Sequence, residues 1–359
     1  MPLKKYIPAK LKYPLIALYV LGRVISRGLP SRDLKLNLAG VLPPPYSNKI
    51  IHGGKVKLIY LRERFGDSWK RFDIAYFVSS GLPFAPSIWT TIYKMFGVKI
   101  VWNQNGVAYG AWTKDVEKIN SLMKPIHDAD YVIYQTEFVK KCADQFLGKI
   151  RKPSSIVYNP VDTNLFKPGV MPKTLTLLAI GSHFNRERII IPIQVLRKLH
   201  EKGVKAKLII AGRLLWANAE EDVRKESEGL EEFIEREGPF LQRNAPQIYQ
   251  KASILIHLKY LDPCPTVVLE ALSSGVPVIG SASGGLPEMV SEKAGVLIPI
   301  EEGFDVLRYP TVDEVVEAVM KIKSKMKQYS KGAREYAQVK FNKEDWIKKH
   351  EQIFQNVCR

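Results

Sequence analysis

Short apolar runs rich in β-branched residues alternate with longer segments of helical pattern along most of this 359-residue chain. Such alternation is typical of parallel sheets whose strands are joined by crossover helices. It predicts an α/β protein with a parallel sheet in each half. The predicted strands are 34–42, 55–61, 73–79, 98–104, 131–136 and 155–160 in the first half, and 175–181, 206–212, 254–259, 277–282 and 294–299 in the second.

Helical periodicity fills the intervals between these strands, and Thr311 with Glu314 has the spacing of a capping box. The segment 166–173 is rich in Pro and Gly and marks a domain boundary. We therefore expect domains at 34–168 and 169–330, a basic N-terminal helix within 1–33, and a helical tail at 331–359 that could cross back to the first domain. The predicted helices are 86–96, 112–127, 137–146, 188–202, 246–251, 267–274 and 311–327.

The chain carries a net charge of +18, which favours an anionic partner such as nucleic acid, phospholipid headgroups or a phosphorylated substrate. The basic residues form no recognisable nucleic-acid module, so a nucleic-acid binder is the less favoured alternative and we expect no nucleic acid partner. Three cysteines, without CxxC spacing, are typical of reduced thiols in a cytosolic protein.

Residues 1–27 contain six Lys and Arg and no acid, around the apolar run 15–22. That run is much shorter than the roughly 20 residues that span a bilayer, and no small-x-small cleavage site follows it. Two interpretations remain equally favoured. The segment is either an interfacial helix on anionic lipid or a helix packed on the protein's own core. The first predicts a cytoplasmic protein, peripheral to the cytoplasmic face of the membrane.

The stretch 260–299 contains the most informative pattern, in which Asp262 and Glu270 are separated by seven residues. Asp262 follows a predicted strand, and Glu270 lies about one turn into a helix that begins near Thr266. The unpaired amides at such a helix start bind phosphate. Ligands of open parallel sheets lie at the carboxyl ends of the strands, where this loop is expected. A flexible turn, 284–288 (GGLPE), follows the next strand.

This block resembles the donor-binding signature of family 4 glycosyltransferases. The second acid, the Ala-x-x-x-Gly-x-Pro-Val segment at 271–278 and the turn at 284–288 match that signature, while Asp262 replaces its usual Glu. Segments 158–168 and 177–199 resemble the family's interdomain segment and the opening of its second domain. The resemblance implies the GT-B fold, with two Rossmann-like domains facing each other across a cleft. It also implies retaining transfer of a hexosyl group from a nucleotide diphosphate sugar to a glycan or lipid-linked acceptor.

The resemblance also implies roles for residues of the second domain. Glu270 would bind the ribose hydroxyls, Asp262 the hydroxyls of the donor sugar, and the amides beside Pro265, at Thr266 and Val267, the diphosphate. The family's usual Arg is missing, because Ser182 follows Gly181. We expect Arg186 and Arg188 to replace it, the alternative being that both face solvent, and His183 could reach a phosphate.

In the first domain, Asn105 before Gly106 stands where the family often has His-Gly. An amide can hold a hydroxyl but cannot accept its proton. Gly53 and Gly54 resemble the family's glycine loop near the acceptor, an ordinary turn being the alternative. We expect no cofactor and no metal, since arginines and helix amides would stabilise the diphosphate. The main rival is a catalytically silent protein of the same fold that binds a sugar or nucleotide.

Overall fold

A computed structural model describes residues 9–26, 35–38, 53–68 and 72–359. The described chain forms two compact units. The first consists of the described residues before 45 together with Gly54–Tyr158 and Trp346–Arg359, and the second contains Asn159–Asp345. The C-terminal residues therefore belong to the same unit as the N-terminal half.

The first unit contains a sheet of five parallel strands in the order of the chain. The strands are β1 (Leu36–Asn37), β2 (Ile74–Val78), β3 (Lys99–Gln104), β4 (Tyr131–Tyr134) and β5 (Ser154–Ile156). The helices are α1 (Ala9–Ile25), α2 (Gly53–Phe65), α3 (Pro86–Met95), α4 (Val116–Ser121) and α5 (Glu137–Leu147). Strands β2, β3 and β4 are almost wholly buried, as expected for a parallel sheet covered by helices on both faces.

The second unit contains six parallel strands in the order β11-β10-β9-β6-β7-β8. They are β6 (Leu175–His183), β7 (Ala206–Leu214), β8 (Ile234–Gly238), β9 (Ile254–His257), β10 (Val278–Ser281) and β11 (Gly295–Ile298). The chain builds outward from β6 to β8, returns to β9 beside β6, and builds outward again on the other side. This is the Rossmann order, whose direction reverses between β6 and β9.

Helices α6 to α12 connect these strands and follow the last one. They are α6 (Glu187–Glu201), α7 (Ala219–Glu226), α8 (Ala245–Gln250), α9 (Thr266–Ser273), α10 (Leu286–Met289), α11 (Val312–Ser324) and α12 (Met326–Lys340). The predicted capping box is confirmed at the start of α11. The last helix, α13 (Lys343–Cys358), enters the first unit, where the Tyr76 hydroxyl lies 3.1 Å from His350 Nε2.

The prediction of a strand at 55–61 is wrong, because these residues lie within α2. Val56 to Leu61 are all buried, so the local apolar run carries no amphipathic period. A short buried run cannot be assigned to strand or helix from periodicity alone. The continuation Arg62-Glu63-Arg64 consists of good helix formers and contains no breaker, which favours the helix.

Helix α1 packs on the first unit through one face and carries exposed apolar residues on another. Val20 and Val24 are buried, and Tyr19 contacts Trp89 of α3 with ring centroids 6.0 Å apart. Leu11, Leu15, Leu18 and Ile25, at helical spacing, are exposed by 47% to 66%. No helix in the described residues is both long and apolar enough to cross a membrane.

Candidate active site

Most of the residues predicted to bind the donor converge where the second sheet reverses direction. Gly181 and His183 end β6, while Asp262 lies in the loop that joins β9 to α9. A Cβ placed on Gly181 would lie 3.9 Å from Val267 Cγ1 of α9 and 4.0 Å from Arg188 Nη2 of α6. In a Rossmann sheet this reversal is the place where ligands bind.

Asp262 is a buried carboxylate that the structure keeps ionised. His257 Nε2 and Lys259 Nζ each lie 3.1 Å from its Oδ2. Burial alone would raise the pKa of the Asp262 carboxyl, but the Lys259 ammonium and the His257 contact outweigh burial and bring that pKa well below its usual range. The neighbouring Leu261 has a φ of 50°, a strained conformation of the kind that collects at functional sites.

The turn at 284–288 supports the Asp262 loop directly. The Gly285 amide donates to the Asp262 carbonyl at 2.9 Å, and the Leu261 amide donates to Ser283 Oγ at 3.2 Å. Gly284 has a φ of 65°, and a Cβ there would lie 2.7 Å from the Leu261 carbonyl carbon. Only glycine fits at this position, since any side chain would push the Asp262 loop away.

Glu270 is a buried carboxyl one turn into α9, in surroundings opposite to those of Asp262. Tyr249 donates to its Oε2 at 2.8 Å, and Gln242 Nε2 donates to Oε1. Burial raises the pKa of Glu270 to about 7, although these two hydrogen bonds favour the ionised form. The carboxyl faces no charged partner in the described residues, and it therefore titrates near neutrality.

The start of α9 presents backbone amides without a protein cap. Pro265 precedes the helix and makes no side-chain capping bond. Its carbonyl accepts from the Val268 amide at 3.1 Å, so the amides of Thr266 and Val267 come before the first intrahelical bond. Together with the helix dipole, such amides form an anion-binding end.

The structure brings one of the two predicted arginines to this place. Arg188 is 6% exposed and donates from Nη1 to the Ser182 carbonyl at 2.7 Å. Its Nε is buried without a hydrogen-bond acceptor in the described structure. Arg186 instead makes an exposed ion pair with Asp222 of α7, with Nε and Oδ2 3.2 Å apart. Arg188 is thus the cation next to the α9 start.

His183 lies at the same edge but carries no positive charge. Its Nε2 is 3.2 Å from the Ala211 carbonyl, and donation to a carbonyl requires the proton on Nε2. Burial, with Arg188 nearby, lowers the pKa of His183 to about 3, so the ring is neutral at physiological pH. Its Nδ1 is then an acceptor and has no hydrogen to offer to a phosphate oxygen.

Of the residues predicted on the acceptor side, Asn105 and Gly54 belong to the first unit. Asn105 follows β3, accepts from the buried ammonium of Lys57 at 2.7 Å and donates to Ser80 Oγ. Both functional groups of its amide therefore have protein partners. Gly53 and Gly54 form the first turn of α2, and this corrects the prediction of a loop or turn there. The hydrogen bond between Lys57 and Asn105 joins residues 48 positions apart, and no local sequence pattern indicates it.

Several contacts of the second unit also escaped the sequence. Gln242 and Tyr249 reach Glu270 from 28 and 21 residues away, and no spacing rule connects them. His257 has no ligand spacing in the sequence, yet it contacts Asp262 five residues later. A His and a Lys placed shortly before an acid at a strand end would have been the available signal.

The described residues contain no group of three or more His, Cys, Asp or Glu that could hold a metal ion. Asp128 and Asp130 have acid-x-acid spacing, but both carboxylates have structural partners. Asp128 accepts from Thr90 Oγ1 at 2.9 Å, and Asp130 accepts from the Ile100 amide at 2.7 Å.

Comparison with known proteins agrees with this fold. Residues 161–337 match the family model described as glycosyl transferases group 1. The whole chain resembles Alr3699/HepE from Anabaena, solved in complex with UDP and glucose. The TM-score is 0.65 and the identity 14%, over 94% of this chain and 95% of that one. No curated protein matches the sequence.

Two further solved structures have the same architecture. A glycosyltransferase from Rickettsia africae ESF-5 has a TM-score of 0.61 and 14% identity, over 95% of this chain and 94% of its own. The sucrose-phosphate synthase of Thermosynechococcus elongatus has a TM-score of 0.63 and 16% identity, over 84% and 77% of the two chains.

The two parallel sheets and these neighbours define a protein with the GT-B fold of glycosyltransferases. The match to the glycosyl transferases group 1 model, at residues 161–337, lies within the second unit. The family match and the fold together support glycosyltransferase activity. The assignment to family 4 and the roles of individual residues stay predictions.

Proposed function

We propose that this protein is a retaining glycosyltransferase that moves a hexosyl group from a nucleoside diphosphate sugar to a glycan or lipid-linked acceptor. One observation carries the proposal. At the reversal of the second sheet, the uncapped start of α9 lies beside Arg188, Asp262 and Glu270. This arrangement suits a ligand with a diphosphate between two hydroxyl-bearing sugars.

Each part of such a donor finds complementary chemistry. The amides of Thr266 and Val267 and the guanidinium of Arg188 suit the diphosphate oxygens. A carboxylate accepts hydrogen bonds from vicinal hydroxyls, and this suits Glu270 for the ribose and Asp262 for the transferred sugar. Alr3699/HepE was solved with UDP and with UDP-glucose, which supports a nucleotide-sugar donor.

The proposed reaction exchanges one bond at the anomeric carbon for another on the same face. The bond from that carbon to the diphosphate oxygen breaks, and a bond to the acceptor hydroxyl oxygen forms. The acceptor proton passes to the departing diphosphate, so no protein base is needed. The protein lowers the barrier mainly by stabilising the leaving charge with Arg188 and the α9 amides. The carbonyl and amino groups of the Asn105 side chain both hydrogen-bond to protein partners, so Asn105 suits a role in holding neighbouring side chains in position.

Thermal melting with UDP-, GDP- and ADP-sugars tests donor binding, since a ligand that binds the folded state raises the melting temperature. We expect one nucleotide to give a clear shift, and Glu270→Ala to abolish it. The bound donor is then followed by NMR for release of free sugar, which should keep the donor's anomeric configuration before mutarotation. The opposite anomer would exclude retention. Binding without any turnover would instead favour the catalytically silent alternative, and no shift with any nucleotide sugar would contradict the proposal.

We further propose that the protein attaches to an anionic membrane surface through its first unit. The exposed apolar row on α1, Leu11, Leu15, Leu18 and Ile25, supports this attachment. The charge distribution supports it too. Residues 1–158 carry 25 Lys and Arg against 10 Asp and Glu, whereas residues 159–345 carry 26 against 25. Such a membrane-bound enzyme would work at the cytoplasmic face and use a lipid-linked acceptor.

A further inference from the structure

The phosphate site described above leaves one arginine of the second unit unassigned. Arg213 lies near the end of β7, directly beside Ser182 of β6 in the parallel register. Its Nη2 lies 3.4 Å from Ser182 Oγ, so both side chains are on the same face of the sheet. No carboxylate lies within ion-pair distance of Arg213 in the part of the chain that the structure describes.

Glycines precede both strand-end residues, and one of them lets the strands come close together. Gly181 and Gly212 immediately precede Ser182 and Arg213, with φ values of 128° and 106°. A Cβ on Gly212 would overlap the Gly181 carbonyl oxygen. Strands β6 and β7 can therefore approach at this point only because position 212 lacks a side chain. Arg213 therefore lies beside the end of β6, where the preceding Gly181 comes close to Val267 of α9.

Arg188 and Arg213 contact Ser182 from two directions. Arg188 bonds its carbonyl, and Arg213 faces its hydroxyl. In both arginines Nε is buried and has no acceptor within the described residues. A buried donor without an acceptor costs free energy, and natural proteins rarely leave one unless a ligand or water satisfies it. Two guanidinium groups with unused donors beside the same residue are suited to a multiply charged oxyanion.

The other cations of this region are already engaged. Lys259 pairs with Asp262, and Arg186 pairs with Asp222. A donor diphosphate would bring about two negative charges to the edge where Arg188 alone has been assigned to receive them. Arg213 supplies the second positive charge from the neighbouring strand, beside the serine that follows β6.

We propose that Arg213 is a second diphosphate-binding residue. Its guanidinium lies beside Ser182 and would take the role of an arginine at position 182, which this chain lacks. This inference rests on the proposed nucleotide-sugar site and adds a residue to it. Loss of one charge-assisted hydrogen bond typically costs about 1.5–3 kcal/mol. Arg213→Ala should therefore weaken nucleoside diphosphate binding roughly 10- to 100-fold.

The test uses the full chain and calorimetric titration with UDP, GDP and ADP, each against its nucleoside monophosphate. In wild type, the best diphosphate should bind more tightly than its monophosphate, and Arg213→Ala should remove most of that preference. Lys207→Ala, at an exposed position of the same strand, removes one positive charge elsewhere and should leave the preference intact. The melting temperature of each variant shows that it remains folded.

A charge relocation separates a binding role from a structural one. The double variant Ser182→Arg/Arg213→Ser moves the guanidinium to the neighbouring strand and should regain at least tenfold of the affinity lost in Arg213→Ser. If wild type binds a diphosphate and Arg213→Ala binds it equally well, the inference is wrong while the proposed function stands. If wild type binds none of the three nucleotides, the proposed function itself has failed.

Discussion

Two buried carboxyl groups on one short segment have pKa values that are shifted in opposite directions, because their neighbours differ. Asp262 faces Lys259 and His257, which hold its pKa low, whereas Glu270 faces only the neutral donors of Tyr249 and Gln242. Pairs of acids separated in this way mark functional sites, since each acquires a different task at one pH. Asp262 therefore contributes a permanent negative charge, while Glu270 is a hydrogen-bonding group whose charge changes near neutrality.

The raised pKa of Glu270 predicts a pH-dependent cost to stability. The folded-state pKa is about 7 against an ordinary value of 4.5, so between these values the folded protein binds more protons than the unfolded chain. Stability contributed by Glu270 is therefore complete below about pH 4.5 and falls as pH rises to about 7, by about 3 kcal/mol in total. Glu270→Gln lacks this titration.

Urea unfolding at about pH 5 and pH 8 measures the effect. The advantage of Glu270→Gln over wild type should grow between the two pH values by a few kcal/mol. Glu317→Gln, at an exposed position of α11, subtracts the general effect of losing one carboxylate. An advantage of Glu270→Gln that stays constant with pH would show that Glu270 is not held in its neutral form.

At the residue scale, the sequence predicted the acids but not their surroundings. Asp262, Glu270 and the start of α9 lie within nine consecutive positions, so one local motif was enough to find them. Arg213, Tyr249 and Gln242 reach the same region from other strands and loops, and only the folded register reveals them. Arg186 shows the converse, since nearness in sequence did not prevent its pairing with Asp222.

At the scale of elements, the predictable strands were those with buried, β-branched runs. Every predicted strand of the second half is present, because β6, β7, β9, β10 and β11 form the covered interior of the sheet or carry apolar sequences. The sixth strand, β8, was missed. It is an edge strand with the sequence IEREG, whose charges suit a solvent-facing edge and conceal the strand pattern.

The close approach of β6 and β7 at Gly212 leads to a prediction about this pair of strands. Gly212→Ala imposes both a disfavoured positive φ and an overlap with the Gly181 carbonyl. The φ alone costs roughly 1–2 kcal/mol, and overpacking adds typically 1–3 kcal/mol. Gly203→Ala is the matched control, because Gly203 also has a positive φ of 73° but open space around the added Cβ.

Denaturant unfolding of the two variants separates the effects. We expect Gly212→Ala to lose more stability than Gly203→Ala by at least 1 kcal/mol. Its affinity for the nucleoside diphosphate should fall as well, since the shift would displace Arg213 and Ser182. Equal losses of stability would mean that β6 and β7 can move apart at Gly181 without cost. That result would also weaken the argument that Arg213 is held close to Ser182 at the phosphate site.

At the scale of the whole molecule, nearly all the net charge lies in one unit. Residues 1–44 and 54–158 contribute +14 and residues 346–359 contribute +2, whereas residues 45–53 and 159–345 contribute +1 each. A nucleotide site in the second unit requires only local cations. The excess in the first unit therefore calls for a separate anionic partner, and the exposed apolar row of α1 favours a lipid surface over a purely ionic one.

Co-sedimentation with vesicles tests this surface in the full chain. Wild type should bind phosphatidylglycerol-rich vesicles and release progressively as salt rises, because screening weakens attraction to the headgroups. Leu15→Ser/Leu18→Ser removes two exposed leucines from the row and should cut the bound fraction severalfold without lowering the melting temperature. Val170→Ser/Val306→Ser removes two exposed apolar residues of the second unit and should bind like wild type.

If the α1 variant sediments as fully as wild type, or if the protein binds neutral phosphatidylcholine equally well, attachment through a basic, apolar helix is excluded. In that case the positive charge of the first unit must bind a soluble anionic acceptor, and Leu15→Ser/Leu18→Ser should bind that acceptor as well as wild type does.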